Sequence, residues 1–180
     1  MLSEDTMRPE IATSRGRCFP QGFSLIEVLV ALLVLAIGLL GLAALQTTGF
    51  KFGHQSYERT QAVLQAYDIT DRMRANKSGA GSAVNTAYDS VALGNLPAVS
   101  VDCAAASCTG NQLATYDIRS WNAANANLLA EGKGAICKGT FTNDANNYPT
   151  SCTATGSIYR VAVTWREQDL YMRLDVETQP

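Results

Sequence analysis

One histidine, His54, is all that the 180 residues contain. That scarcity removes a group of chemistries at the outset. A lone histidine on a helical stretch is far more often a surface residue than a catalyst or a metal ligand, so His54 is assigned no role. The chain has no glycine-rich phosphate loop, no Gly-x-Ser-x-Gly nucleophile turn and no cluster of metal ligands. No enzyme, no cofactor and no metal site are expected. Scattered acids such as Asp117 and Glu131 read as solvated surface. Cations are not in excess either: 14 Lys and Arg against 16 Asp and Glu give a net charge of −2. A phosphate-binding surface needs clustered Lys and Arg, so direct nucleic-acid binding is not expected. Internal repeats and low-complexity tracts are also missing.

One long stretch is almost without charge. Between Phe23 and Leu45 the only charged residue is Glu27, and the next one after it is Lys51. A helix over this run is roughly 35 Å long at ~1.5 Å per residue, enough for the ~30 Å hydrocarbon core of a bilayer. The run is apolar on every face, which a buried helix of a soluble domain rarely is. Arg15 and Arg17 precede it and favour an N-in orientation. The bias is modest, because Lys51 and Arg59 follow. The run exceeds the roughly 7–15 residues of a secretory signal core. An ordinary signal would instead end at the small-x-small site Gly41-Leu42-Ala43, leaving a secreted domain. A charge at the centre of a spanning helix costs ~2.5–3.5 kcal/mol, and less near an end. Glu27 therefore needs a reason.

The five cysteines are Cys18, Cys103, Cys108, Cys137 and Cys152. An odd number is awkward in an exported protein. Cys18 lies in the basic stub before Gly22, so loss of that stub leaves four, enough for two disulfides in an oxidising compartment. Four cysteines permit three pairings. Cys103 with Cys108 closes a tight loop, and Cys137 with Cys152 ties down "KGTFTNDANNYPTS". The spacings favour this neighbour pairing without excluding the others. Cys103-x4-Cys108 is too wide for a redox Cys-x-x-Cys, and no histidine lies near for zinc.

Beyond the apolar run the helical period continues. In "HQSYERTQAVLQAYDITDRMRANKSG", Ala62, Ala66, Ile69 and Met73 fall at helical spacing, with Leu64 and Tyr67 widening the face. Asp68 and Arg72 stand four apart in the favourable acid-first order. Asn76 and Gly79 are stop signals. One helix is expected from about Ser24 to about Asn76, weakened at Gly38 and Gly41 by roughly 1 kcal/mol each. A loose loop is expected over Ser78 to Val101. Thr109 and Gln112 then have capping-box spacing, and Ala114, Ile118, Trp121, Ala124 and Leu128 form a second helical stripe, stopped near Gly132 and Gly134. Trp121 reads as core. Tyr159, Val161, Val163 and Trp165 alternate along one strand, and Leu170, Met172, Leu174 and Val176 along another, joined by "REQD" as a hairpin. A third strand is expected to include "GAICKGTF". A long helix laid on a small antiparallel sheet buries both apolar faces, which makes the fold class α+β.

The stretch "QGFSLIEVLVALLVLAIGLLGL" closely resembles the class III leader and first helix of type IV pilins and pseudopilins. The resemblance implies that a prepilin peptidase cuts after Gly22 and methylates Phe23 as the new N-terminus, and that Glu27 is the family's glutamate at the fifth mature position. It also implies a leader over 1–22, a long helix over 23–77 with 23–45 in the membrane, and a globular head over 78–180. "AYDITDRMRANKSG", "CTGNQLATYDIRSWN" and "YRVAVTWRE" resemble stretches of PilV-type minor pilins. By that resemblance the chain is an inner-membrane protein with its head outside the cytoplasm, later a subunit of a surface pilus. Its partners would be the major pilin, other minor pilins, a large tip adhesin and the inner-membrane assembly platform. Ala130 departs from the family, which often has proline there. A type II secretion pseudopilin, and a pilus-displayed module for adhesion or DNA uptake, are the alternative readings. Cleavage exposes a cationic amine on Phe23. In a filament the Glu27 carboxylate of one subunit could approach the Phe23 amine of its neighbour, an attraction much stronger in a low-dielectric core than in water.

Overall fold

The structure, a computed structural model, describes residues 22–77 and 84–179. The leader expected over 1–22, apart from Gly22, lies outside the described residues, as do Cys18 and the 78–83 part of the expected loop. Contacts group the chain into a unit that ends at Thr47 and a unit that begins at Thr48. The first helix, α1, spans Leu25–Ala75 and contributes to both.

In the first unit the described part is helical from Leu25 onward, and every residue of it is exposed. Leu25, Leu33, Leu40 and Leu45 stand 82, 55, 73 and 72 % open, which no water-soluble surface maintains. The helix is long and apolar enough to cross a membrane, with a mean hydropathy of 3.0 over its best window.

The second unit takes the rest of α1, a 3₁₀ turn at Thr86–Tyr88, a second helix α2 (Gly110–Leu128) and six strands. The strands are β1 (Ser90–Val91), β2 (Lys133–Lys138), β3 (Phe141–Asn143), β4 (Pro149–Cys152), β5 (Tyr159–Glu167) and β6 (Leu170–Thr178). An antiparallel sheet in the order β1-β2-β5-β6 is accompanied by the separate pair β3-β4. Registers of Val163 with Gly134 and Leu174, and of Val161 with Ile136 and Val176, put these residues on one face. Against that face lie Ala62, Ala66, Ile69 and Met73 of α1 and Ala114, Ile118 and Trp121 of α2, in one buried cluster. Small residues on α1 let the helix come close, and the branched and aromatic residues of β5 supply the area. On the other face Ala135, Cys137, Ala162 and Thr164 are buried as well, while Lys133, Asp175 and Glu177 are exposed. The fold is thus α+β, a long helix and a second helix with an antiparallel sheet.

Four local expectations need correction. Leu64 and Tyr67 are each 54 % exposed and do not widen the buried face; they sit off the stripe that Ala62, Ala66, Ile69 and Met73 define. The stretch before Val101 is not simply a loose loop. Its 3₁₀ turn buries Tyr88 and its short strand buries Val91 against Ile136. "GAICKGTF" is not one strand: β2 ends at Lys138, Gly139 takes φ 117, and Phe141 opens β3 in the other sheet. Leu170 is 70 % exposed at the tip of the β5-β6 hairpin, where Glu167 pairs with Leu170 across a two-residue turn with Gln168 at φ 57.

Candidate functional site

Two places in the chain carry candidate functional residues: the start of α1, and the polar contacts that fasten the end of α1 to α2. At the first, Gly22, Phe23 and Ser24 precede the helix. Ser24 supplies the carbonyl that accepts from Glu27 N–H at 3.0 Å and Val28 N–H at 3.3 Å. Glu27 is therefore in the first turn, where the helix dipole favours a negative charge. Phe23 is 83 % exposed. Phe23, Glu27, Ala31 and Leu35 line one groove of the helix surface, in which Glu27 is the one charged side chain. Among the described residues Glu27 enters no ion pair.

At the second, Arg72 on α1 donates from Nε to Asp68 Oδ2 at 3.0 Å and from Nη1 to Asp117 Oδ1 of α2 at 3.2 Å. Asp117 accepts a further bond from the Tyr88 hydroxyl at 2.7 Å. It is 5 % exposed, so its expected place on the solvated surface is wrong. The reason is its position. Ala114, Asp117, Ile118 and Trp121 fall at i, i+3, i+4 and i+7 on α2, which puts Asp117 on the apolar face with the others. A carboxylate held there needs both a cation and a donor, and Arg72 and Tyr88 supply them. Burial, followed by the bond and charge of Asp117, pushes the Tyr88 hydroxyl well above the usual tyrosine range.

Asn76 closes the same corner. It follows the last residue of α1, donates from Nδ2 to Gly110 O at 2.8 Å, and its carbonyl accepts from Asn85 N–H at 3.2 Å. Gly110 opens α2 after Thr109, whose side chain and that of Gln112 form a capping box. One turn beyond Asp117, Trp121 donates from Nε1 to Gln65 O at 2.8 Å. Asn122 accepts from Gly134 N–H at 2.7 Å and donates to Asn95 O at 3.0 Å. Arg72, Asn76, Asp117, Trp121 and Asn122 all lie in the "DRMRAN" and "TYDIRSWN" stretches. Their work is to fix the helices and the sheet to one another.

Disulfides join Cys103 to Cys108 and Cys137 to Cys152. The second fastens β4 to β2 and holds the β3-β4 hairpin beside the outer face of the sheet. Arg173 of β6 helps hold it, donating to Asn143 Oδ1 at 2.7 Å and Asn147 O at 3.0 Å, with its guanidinium 5.3 Å from the centre of the Phe141 ring. Among the described residues no group of three or more His, Cys, Asp or Glu side chains is placed to hold a metal ion.

Over residues 44–119 the chain matches a family described as Tt1218-like, Type IV pilin Tt1218. Over residues 20–43 it matches the prokaryotic N-terminal methylation motif. The two matches support a type IV pilin. No curated protein and no solved structure matches the chain. The methylation-motif match contains Gly22, Phe23 and Glu27, while the longer match contains Arg72, Asn76, Tyr88 and Asp117. The first set is exposed; the second packs within the second unit.

Proposed function

We propose that this pilus subunit is a minor pilin of the PilV type, a structural and assembly protein rather than an enzyme. It is made with a leader over 1–22, which a prepilin peptidase removes after Gly22 before methylating Phe23. It waits in the inner membrane as a single-pass protein spanning over 23–45, with its head outside the cytoplasm, and is then drawn by the assembly platform into a surface pilus. There it helps to prime assembly and joins a tip complex with other minor pilins and a large tip adhesin, next to the major pilin. Such a tip supports twitching and adhesion.

The observation that carries this reading is the start of α1. A single carboxylate stands in the first turn of α1, whose stretch to Thr47 is otherwise uncharged and exposed throughout, inside a methylation-motif match. Alone, that charge makes insertion costlier; opposite the methylated amine of a neighbouring Phe23 it sets the stagger between subunits. The test is Glu27→Ala in the native host. Leader removal should proceed, seen as a mature chain that starts at Phe23 by N-terminal sequencing, while the amount recovered in sheared pili falls. Undiminished incorporation would overturn the role of Glu27. A mature chain starting after Ala43 would overturn the filament reading itself.

A further inference from the structure

The two edges of the four-stranded sheet are finished differently. At one, β1 is only two residues long. At the other, β6 runs for nine residues, pairs with β5 without a register shift, and contains no proline. Short strands, prolines and bulges are the usual means of blunting a sheet edge, and β6 has none of them. The groups this edge offers follow from the pairing on its other side. Just before β5, Ile158 O accepts from Gly139 N–H, and within β5 Arg166 N–H donates to Ala130 O. Even-numbered residues of β5 therefore bond toward β2 and odd-numbered ones toward β6. Their partners on β6 are the even-numbered residues. The N–H and C=O groups of Tyr171, Arg173, Asp175 and Glu177 thus point away from the sheet, and among the described residues they bond to nothing.

The side chains of this edge narrow the occupant. On the core face Met172, Leu174 and Val176 pack against the buried cluster yet stay half-buried, because no strand follows β6. On the other face the edge is acidic at its C-terminal end. Asp175 and Glu177 are 44 and 57 % exposed. Each gives one oxygen to an arginine at 2.8 Å, Asp175 Oδ1 to Arg173 and Glu177 Oε1 to Arg160, and leaves the other open. Arg173, the one cation of β6, is only 10 % exposed and is turned to Asn143 and Asn147 of the β3-β4 hairpin. A helix or an irregular loop cannot meet backbone groups on every second residue; an added strand meets them all.

We propose that β6 is a docking edge, which takes up an extended segment of another polypeptide as the next strand of the sheet. The segment is apolar at every second position, where it covers Met172, Leu174 and Val176, and on its other face it sets lysine or arginine against Asp175 and Glu177. A second copy of this chain fits the edge less well. Antiparallel pairing of two β6 edges relates the copies by a half-turn about the normal to the sheet, which reverses the 62–73 segment of α1 that lies on it. Subunits drawn from one membrane into one filament, as in the function proposed above, run the same way.

The test uses the full-length, leader-processed chain in detergent and fluorescent peptides of the length of β6, nine residues. One peptide alternates valine with lysine, one alternates valine with glutamate, and one is the lysine peptide with methylated backbone nitrogens. Fluorescence anisotropy should show the lysine peptide held about tenfold more tightly than the glutamate peptide, because cross-strand ion pairs replace like-charge contacts. The methylated peptide, which has no N–H to give the edge, should not bind. Asp175→Pro puts proline where the N–H faces outward, a place that edge strands tolerate. It should abolish binding and leave the melting temperature unchanged. Asp175→Lys combined with Glu177→Lys keeps the edge and should turn the preference to the glutamate peptide; if Asp175→Pro unfolds the protein, this variant decides. Equal binding of the two charged peptides, binding of the methylated one, no binding of the lysine peptide at about 1 mM, or a preference that survives charge reversal overturns the proposal. So does a photo-cross-linking residue at Glu177 that traps a dimer of this chain in native membranes. The peptides are read on unassembled protein, so failure of the minor-pilin reading and failure of the docking edge are separate outcomes.

Discussion

Gly134→Ala should destabilise the head, although alanine is the better strand former. Gly134 is the second residue of β2, on the face that α2 covers, and the Trp121 indole occupies the space a side chain would take. A Cβ built there meets Trp121 Cη2 at 2.2 Å, Cζ3 at 2.5 Å and Cζ2 at 2.7 Å. The indole has no room to withdraw: it is fully buried and its Nε1–H is tied to Gln65 O at 2.8 Å. Replacing glycine gains ~0.5–1 kcal/mol in backbone entropy. Overpacking costs ~1–3 kcal/mol or more, and contacts this short belong at the upper end, so the net loss is ~2 kcal/mol. For a chain of this size that lowers the melting temperature by roughly 4–8 °C. Thermal unfolding of the full chain in detergent, followed by tryptophan fluorescence, reads it. The control is Trp121→Ala, itself costing ~3–5 kcal/mol. In that background Gly134→Ala should be neutral or stabilising, because the methyl enters vacated space. A loss that persists undiminished without the indole would refute the packing argument, as would an unchanged melting temperature in the single variant.

Alkaline pH offers a second handle, since burial, with Asp117 close by, holds the Tyr88 hydroxyl above its ordinary value. A group that keeps its proton in the folded state and loses it in the unfolded one contributes stability that is full below pH ~10 and falls as the pH rises above it. Tyr88→Phe removes the bond to Asp117 but should flatten that fall, which melting curves between pH 8 and 11 would show; identical slopes would contradict it. Removing the Cys137–Cys152 disulfide as a Ser pair opens a loop of sequence separation 15 and should cost ~3 kcal/mol on loop entropy. Removing Cys103–Cys108, with a separation of 5, should cost less, ~2 kcal/mol. Urea titration orders the two, and the reverse order would show that local strain governs instead.

The parts of the fold that could be read beforehand were those in which a local period meets a single flat face. The helix stripes through Ala62 to Met73 and Ala114 to Trp121, and the alternation in β5, are of this kind. Asp117 was misjudged for its chemistry and not for its position: it stands on the buried stripe of α2, and only the presence of Arg72 and Tyr88, distant in sequence, makes that tolerable. Gly134 read as a helix stop. Its use as a seat for Trp121 depends on which strand passes under α2, which no short-range pattern encodes. The burial of Tyr88 is likewise set by contacts far along the chain, from Asn76 and Asp117. Phe23 and Glu27 stood out because a charge in an apolar run contrasts with everything around it, yet their proposed partner is another copy, so one chain displays the groups without the contact.

The helix whose first half is long and apolar enough to cross a membrane is also the helix that supplies Ala62, Ala66, Ile69 and Met73 to the core of the second unit. A pull along the part of α1 within the second unit therefore loads that unit in shear along the helix axis, not by peeling. The side chains interlocked against the sheet, the Trp121 bond to Gln65 and the Arg72 pair with Asp117 lie side by side across that load and must yield together. A subunit built in this way meets tension with all of its fastenings at once.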